Sequence, residues 1–319
     1  MATNYKLKAA ARTLSLKDCY AMGEDGAYSL FRKLRWPETD GAAVCPKCGH
    51  GHAYEISTRR RFKCKACHAQ FSVTSGTIFA SHKLPFTDML AAIALLANAA
   101  KGVSALQLAR DLDVQHKTAW VLCHKLREAM AAETKDHMLS GIVEVDGAFF
   151  GGHVRPENRK EDRVDRRRSE HQSGKRRAVV VARQRKGRTL TSVHETEADG
   201  VNAVANTIAV GSIVHADEAT HWDALHVRFK TMRINHSEAY SLNGVCTNQA
   251  ESYFSRLRRM VRGQHHHVSG KYLHQYAEHA AWLEDHRELD NGATAKRVIG
   301  LALGHPVSRD WKGYWQRAR

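Results

Sequence analysis

The sequence predicts a multi-domain α+β chain, and three observations carry that expectation. Two close cysteine pairs lie between residues 45 and 67, apolar residues recur at helical spacing from Met89 to Met130, and short β-rich runs begin after Gly141. At 319 residues the chain has room for two or three cores. The expected boundaries are 1–40 for an N-terminal helical segment, 41–82 for the cysteine region, 83–135 for a helical module, 138–290 for an α/β domain with a basic insert at 153–177, and 291–319 for a C-terminal tail.

Composition narrows the partners. The 49 Lys and Arg exceed the 33 Asp and Glu, giving a formal charge of +16 and a pI near 9.7, as expected of a surface that meets a polyanion. Nucleic acid leads and an anionic membrane comes second. The longest apolar run, Met89 to Ala100, falls well short of the roughly 20 residues a membrane-spanning helix needs, and no signal-peptide core precedes it. A soluble intracellular protein with no membrane partner is expected.

The seven cysteines are an odd number, and four form the pairs Cys45-Pro46-Lys47-Cys48 and Cys64-Lys65-Ala66-Cys67, while Cys19, Cys123 and Cys246 are scattered. Two thiolates from each of two knuckles supply the four soft ligands of tetrahedral zinc, so this region reads as a zinc ribbon holding one structural Zn²⁺ in a reducing compartment. His50, His52 and His68 stand nearby and are expected to be exposed residues of the knuckles rather than ligands.

Before the ribbon, Ala27, Phe31 and Leu34 mark a helix that exits at Pro37. After it, Thr87 is the expected cap of a helix through Met89 to Ala100, broken at Gly102. Ser104 and Gln107 form a capping-box pattern ahead of Ala105, Leu108, Ala109 and Leu112. A turn at Asp113 and Val114 leads into a second helix with Ala119, Leu122, Cys123, Leu126 and Met130 on one face. Gln115, His116, Lys117 and Lys125 lie off that face. Helix, short turn and helix is the helix-turn-helix arrangement, whose second helix presents its N-terminal side chains to DNA base edges; Gln115, His116 and Lys117 are the candidates. A helical hairpin that only packs is the alternative.

From Gly141 strands are expected at Ile142 to Val145, ending at Asp146, then at Ala178 to Ala182 and Thr189 to Val193. A helix from about Asp199 to Ala209 precedes a fourth strand, Ser212 to Ala216, ending at Asp217. The insert between the first two strands is too polar to build a core; it is either a solvated linker or a DNA-backbone contact. Helices follow from Thr247 to Arg259, with Glu251, Ser255 and Arg258 sharing a face, and from Lys271 to Arg287.

Phosphodiester chemistry uses paired divalent metals held by hard oxygen ligands. Asp146 and Asp217 stand side by side if their strands are neighbours, and Glu251 completes a trio if its helix packs over that edge. Glu144, two residues before Asp146, shares its side of the strand and is expected to pair with an arginine, the alternative being that it joins the acidic site. Glu218 and Asp223 are expected in loop or cap positions, and His265, His266 and His267 on a surface loop near DNA. Trp120 and Trp222 are expected to pack in cores.

These residues carry a resemblance. The chain resembles IS1595-family transposases, those with an ISXO2-like catalytic domain, over about Phe31 to Asn291. The matching stretches are Leu34 to Pro37, both cysteine pairs, Gln70 to Phe79, Lys83 to Pro85, Ser104 to Arg110, Val143 to Asp146 with Gly151 and Gly152, His215 to Glu218, Thr247 to Ser252, Ser255 to Arg259, and Gly263 to His267. The resemblance implies an RNase H-like catalytic core with a DDE triad on Asp146, Asp217 and Glu251, two Mg²⁺ or Mn²⁺ ions per site, and a DNA-contacting basic residue at Arg258. Arg259 and His266 lie in matching stretches and join the DNA-contact candidates. Many relatives carry an acid directly after the first catalytic aspartate; here Gly147 follows.

The expected activity is therefore that of an insertion-sequence transposase, hydrolysing phosphodiesters at terminal inverted repeats and transferring the strand to target DNA. A homo-oligomer on DNA in a prokaryotic cytoplasm, associated with the nucleoid, follows from the same resemblance. A cleavage-inactive DNA-binding regulator and an RNase H-like nuclease or resolvase are the alternatives.

Overall fold

The computed structural model describes residues 5–152, 157–165, 171, 174–235, 241 and 244–317. Much of the expected basic insert, at 153–156, 166–170 and 172–173, lies outside the described residues. Packing divides the chain into two compact units, residues 1–133 with 286–319, and residues 134–285.

The first unit begins with helices α1 (Leu16–Ala21) and α2 (Gly23–Arg35), the latter burying Ala27, Tyr28 and Phe31. Strands β1 (Ala53–Ile56), β2 (Arg61–Cys64) and β3 (Gln70–Phe71) form an antiparallel sheet in that order. Trp36, just past α2, meets the Phe62 ring edge-on at 5.6 Å, and Phe62 lies 5.5 Å from Phe71, so the helix and the small sheet share an aromatic core. The expected boundary at residue 40 falls inside this core.

Helix α3 (Phe86–Asn98) is apolar almost all round and buries nine of its residues. Its cap differs from expectation. Thr87 lies inside the first turn, and Glu24 caps the helix from α2: the backbone N–H groups of Phe86 and Thr87 donate to its carboxylate at 3.1 and 3.0 Å. A carboxylate at a helix N-terminus satisfies otherwise orphaned donors and opposes the helix dipole. Helix α4 (Ala105–Asp111) is capped by the Ser104 hydroxyl, which accepts from the Gln107 N–H at 3.1 Å. Asp113, at φ +50°, turns the chain into α5 (His116–Ala131), which packs on α4.

Residues 291–319, expected as a tail, contain helix α9 (Asn291–Gly304), which packs against α2, α3 and α5. Asp290 caps it, and Asn291 bonds the backbone of Thr13 and Leu14. Its apolar positions, Ala295, Val298, Ile299, Ala302 and Leu303, follow helical spacing and are buried. Met1–Asn4 and residues 318–319 lie outside the described residues.

The second unit is built on a five-stranded sheet. Strands β4 (Ile142–Gly151), β5 (Arg176–Gln184) and β6 (Thr189–His194) form an antiparallel meander, and after helix α6 (Glu197–Ala205) come β7 (Ile213–Asp217) and β8 (Lys230–Ile234), both parallel to their neighbours. The order across the sheet is β6-β5-β4-β7-β8. Two strand expectations are corrected. β4 does not stop at Asp146 but continues to Gly151, because β5 pairs with it along nine residues. The edge strand β8 was not expected, since its Lys-Thr-Met-Arg-Ile pattern is only half apolar and buries little.

Helix α6 packs on one face, where Val143, Val145, Val180, Val201, Val204, Val214 and Trp222 form the core. Helices α7 (Asn248–Arg259) and α8 (Leu273–Asp285) pack against one another and against strands of the meander. A π-helical segment, Met260–His265, extends α7.

Candidate functional site

The sulfurs of Cys45 and Cys67 lie 3.6 Å apart, as do those of Cys48 and Cys64, and all four fall within 4.8 Å of one another. The residue after each pair, Gly49 at φ +73° and His68 at φ +56°, adopts left-handed backbone, so each knuckle curls its thiols inward by the same turn. Hence the cysteines form a structural zinc site. His50, His52 and His68 are not part of the converging set.

The acids sit on the second unit's sheet. β4 and β7 are parallel neighbours with Glu144 opposite His215, so continuing the register by two residues brings Asp146 level with Asp217. Asp146 Oδ1 accepts from the Gly147 N–H at 2.7 Å, and Asp217 Oδ1 from the Ala219 N–H at 3.1 Å. Glu251 stands in the first turn of α7, partly buried. Burial, together with the charges of Asp217, Glu197 and Glu251, pushes the Asp146 carboxyl up to about 7 against the pull of the Gly147 N–H. Among the described residues no three of these carboxylates converge as the cysteines do.

Glu144 has a structural task. Its side chain is fully buried; Oε1 pairs with Arg185 Nε at 2.8 Å, while Oε2 accepts from the N–H groups of Gln249 and Ala250 at 2.7 and 3.3 Å. Thr247, at the N-cap position of α7, makes no side-chain cap, so the strand carboxylate replaces it. Arg185 also donates to the Gly244 carbonyl at 3.1 Å, and the Cys246 N–H donates to His215 Nδ1 at 3.3 Å. The segment leading into α7 is thus tied to β4, β5 and β7, which sets where Glu251 stands.

Sequence reasoning missed Glu197. A Cβ built on Gly147 would lie 2.7 Å from both Cγ and Cδ of Glu197, so the glutamate occupies the space a side chain at 147 would fill. Gly200 repeats this one turn later: its Cβ would come within 2.5 Å of Val180 Cγ2, and the missing side chain lets α6 settle closely on β5. Burial and the charge of Asp217 raise the Glu197 carboxyl, while His221 Nε2, 3.7 Å away, and Arg176 oppose that rise. The only signal in the sequence was the departure at Gly147, and it pointed to a gap rather than to the residue filling it.

Glu218 is exposed, and Asp223 is exposed and 3.5 Å from Arg233. Of the DNA-contact candidates, Gln115, His116 and Lys117 are exposed at the start of α5, with Lys117 over the Trp315 ring at 5.5 Å. Arg258 and Arg259 are exposed on the last turn of α7, Arg258 lying over Phe254 at 5.6 Å. His266 is exposed at φ +57°, while His265 packs against Tyr276. Trp222 is buried in the core and Trp120 packs on His124.

A four-cysteine zinc ribbon and a separate mixed α/β unit define a zinc-binding protein of two parts. Residues 22–70 match the transposase zinc-ribbon domain and residues 138–285 match the ISXO2-like transposase domain of IS1595 elements. The chain belongs to the IS1595-family transposases. No curated protein and no solved structure matched it. Among the described residues no helix is long and apolar enough to cross a membrane.

Proposed function

We propose that this chain cuts and joins DNA at the ends of an insertion sequence, on an RNase H-like core whose triad is Asp146, Asp217 and Glu251. The observation that carries this reading is the parallel pairing of β4 with β7, which sets two aspartates level while Glu251 and Glu197 act electrostatically on the first. Burial first and the neighbouring acids second push the Asp146 carboxyl up to about 7, a charge crowding that a divalent cation would relieve, so the residues fit Mg²⁺ or Mn²⁺. When bound, such a pair activates the attacking oxygen and stabilises the leaving one.

The chain's own residues do the rest. Asp146, Asp217 and Glu251 would hold the metals through hard carboxylate oxygens. Glu197 adds a fourth carboxylate beside Asp146. Glu144 and Arg185 hold the α7 N-terminus so that Glu251 keeps its place. Helices α4 and α5 act as a helix-turn-helix whose Gln115, His116 and Lys117 read terminal repeats, and Arg258, Arg259 and His266 contact the backbone near the cut. Two ends held in one complex call for at least a dimer on DNA.

The test compares Asp146→Asn, Asp217→Asn and Glu251→Gln with Glu218→Gln and Asp223→Asn on a labelled duplex carrying the element's end, with Mg²⁺ or Mn²⁺. The first three are expected to lose nicking and strand transfer while still shifting the duplex in a gel; the other two stay active. Cleavage without strand transfer by the unaltered protein points to a nuclease. Binding without cleavage under either metal points to a regulator and sinks the enzymatic reading.

A further inference from the structure

At the outer end of β4, away from the parallel strands, lies a cavity of about 490 Å³ contained in the 134–285 unit. Its wall is made by Gly151, Gly152, Lys175, Arg177, His267 and Lys271, with the Ser269–Gly270 backbone closing one side. Three permanent cations and a histidine around one small volume give it a positive potential that draws an anion.

The glycines explain how the cations come so close. Gly151 and Gly152 lie at φ +74° and +71°, backbone that side chains rarely adopt. A Cβ on Gly152 would meet Arg176 Cβ at 3.0 Å, and one on Gly270 would meet Arg177 Cγ at 3.2 Å. Side chains at these places would push the β5 arginines away and fill the cavity. Arg177 is held in place by its own backbone, Nη1 donating to the carbonyls of Gly174 and Arg176 at 2.9 and 2.8 Å. Glu195 approaches its Nη2 at 3.7 Å, but that carboxylate is 81% exposed, and a surface pair of this kind gives way readily to a stronger anion.

The lining also says which anion. Glycine backbone and cations make up most of the wall and the His267 imidazole is the one ring in the lining, so the chemistry fits a phosphate better than a nucleobase. Arg177 pairs with Phe150 in the β4–β5 register and therefore belongs to the Asp146 face of the sheet. Gly151 is five residues beyond Asp146 on one strand, about 17 Å, which is the axial rise of about five base pairs. One duplex can reach both places. We propose that this cavity is a binding site for a backbone phosphodiester of DNA, gripped by Lys175, Arg177 and Lys271. Its link to the cut rests on the cleavage reading above; the binding site itself does not.

The experiment uses the full-length, zinc-loaded protein and a 30-base-pair duplex. Fluorescence anisotropy over a range of KCl compares the unaltered protein with Lys175→Gln/Lys271→Gln. Loss of two phosphate contacts is expected to reduce the slope of log affinity against log salt by about 1.8. In parallel, lysine acetylation followed by mass spectrometry is run on the unaltered protein alone, with the duplex, and with inorganic phosphate or ATP at equal phosphate concentration. Protection of Lys175 and Lys271 by the duplex, with the reduced slope, supports the proposal. An unchanged slope in a variant that melts like the parent overturns it, as does absence of protection by duplex. Protection by phosphate or ATP but not by duplex assigns the cavity to a small anion and also overturns it. Failure to cut DNA, with these binding results intact, removes the cleavage reading and leaves the cavity standing.

Discussion

Gly147 shows how one missing side chain shapes a site. Replacing it with alanine puts a methyl group 2.7 Å from the far carbons of Glu197, and a flexible carboxylate end moves aside at small cost. Gly147→Ala is therefore expected to fold with a stability change of about 1 kcal/mol or less. Its cleavage rate is expected to fall about tenfold, about 1.4 kcal/mol of barrier, and Glu197→Gln is expected to match it, read by single-turnover cleavage with DNA binding as control. Full activity in both variants removes Glu197 from the site. Glu24 gives a pH dependence. Burial works to raise its carboxyl, but the Thr87 and Phe86 N–H groups and Arg60 outweigh that and hold it below the ordinary range. A depressed carboxyl contributes stability above its unfolded value of about 4.3 and loses it as pH falls through the lower folded value. Thermal melts of the parent should lose stability more steeply than Glu24→Gln below about pH 4.3; parallel curves would show that the cap carries no linkage. At this scale the zinc ligands were legible because their spacing is local, whereas Asp146, Asp217 and Glu251, spread over a hundred residues, were proposed from the family resemblance. Glu197 and the Glu24 cap were not legible, because each acts on a residue far away in sequence.

Elements are held by buried charge as much as by apolar packing. Arg183 on β5 pairs with Asp285 on α8 and approaches Glu284 at 3.9 Å; Glu284 in turn accepts from Arg256 on α7 at 2.9 Å. Asp285 also accepts from the Thr189 N–H at 3.0 Å, so α7, α8 and the β5–β6 turn form one network. Asp285→Ala leaves Arg183, only 6% exposed, without that partner and is expected to cost about 3–5 kcal/mol by urea denaturation. A loss under 1 kcal/mol would mean the network contributes little. Glu144→Gln, at the other end of α7, keeps the shape but weakens the cap and the Arg185 pair. A loss of about 1–3 kcal/mol is expected, with reduced cleavage and unchanged affinity for DNA. If cleavage is untouched, Glu144 does not position Glu251. Helices α4 and α5 could be read from the periodicity of their apolar faces, and α3 from its continuous apolar run. α9 has the same periodicity and its Asp290 cap stands in the sequence, but its worth comes from α2, α3 and α5, at least 160 residues earlier in the chain. β8 carries too few apolar residues to announce itself.

For the whole molecule, charge and metal give the accessible tests. With a net charge of +16, DNA affinity is expected to fall steeply with salt through counterion release, and a slope near zero would contradict a phosphate-tracking surface. Stripping zinc with a strong chelator is expected to unfold the 41–82 region, read by mass spectrometry of hydrogen exchange, while the 134–285 sheet keeps its protection. Unchanged exchange across residues 45–67 in metal-free protein would show that the cysteines do not need the ion. Composition, cysteine spacing and the motif stretches by themselves determined the zinc ribbon, the α+β character and the family, because those signals reside in neighbouring residues and in chemistry that tolerates few alternatives. Only the tertiary structure decided that α9 joins the N-terminal unit, that Glu144 caps α7, that Glu197 fills the space over Gly147, and that three cations share a glycine-walled cavity. Each of these depends on which strands pair and how closely a helix can approach a sheet, and pairing between distant segments is set by the summed burial of the whole core, which no local pattern encodes.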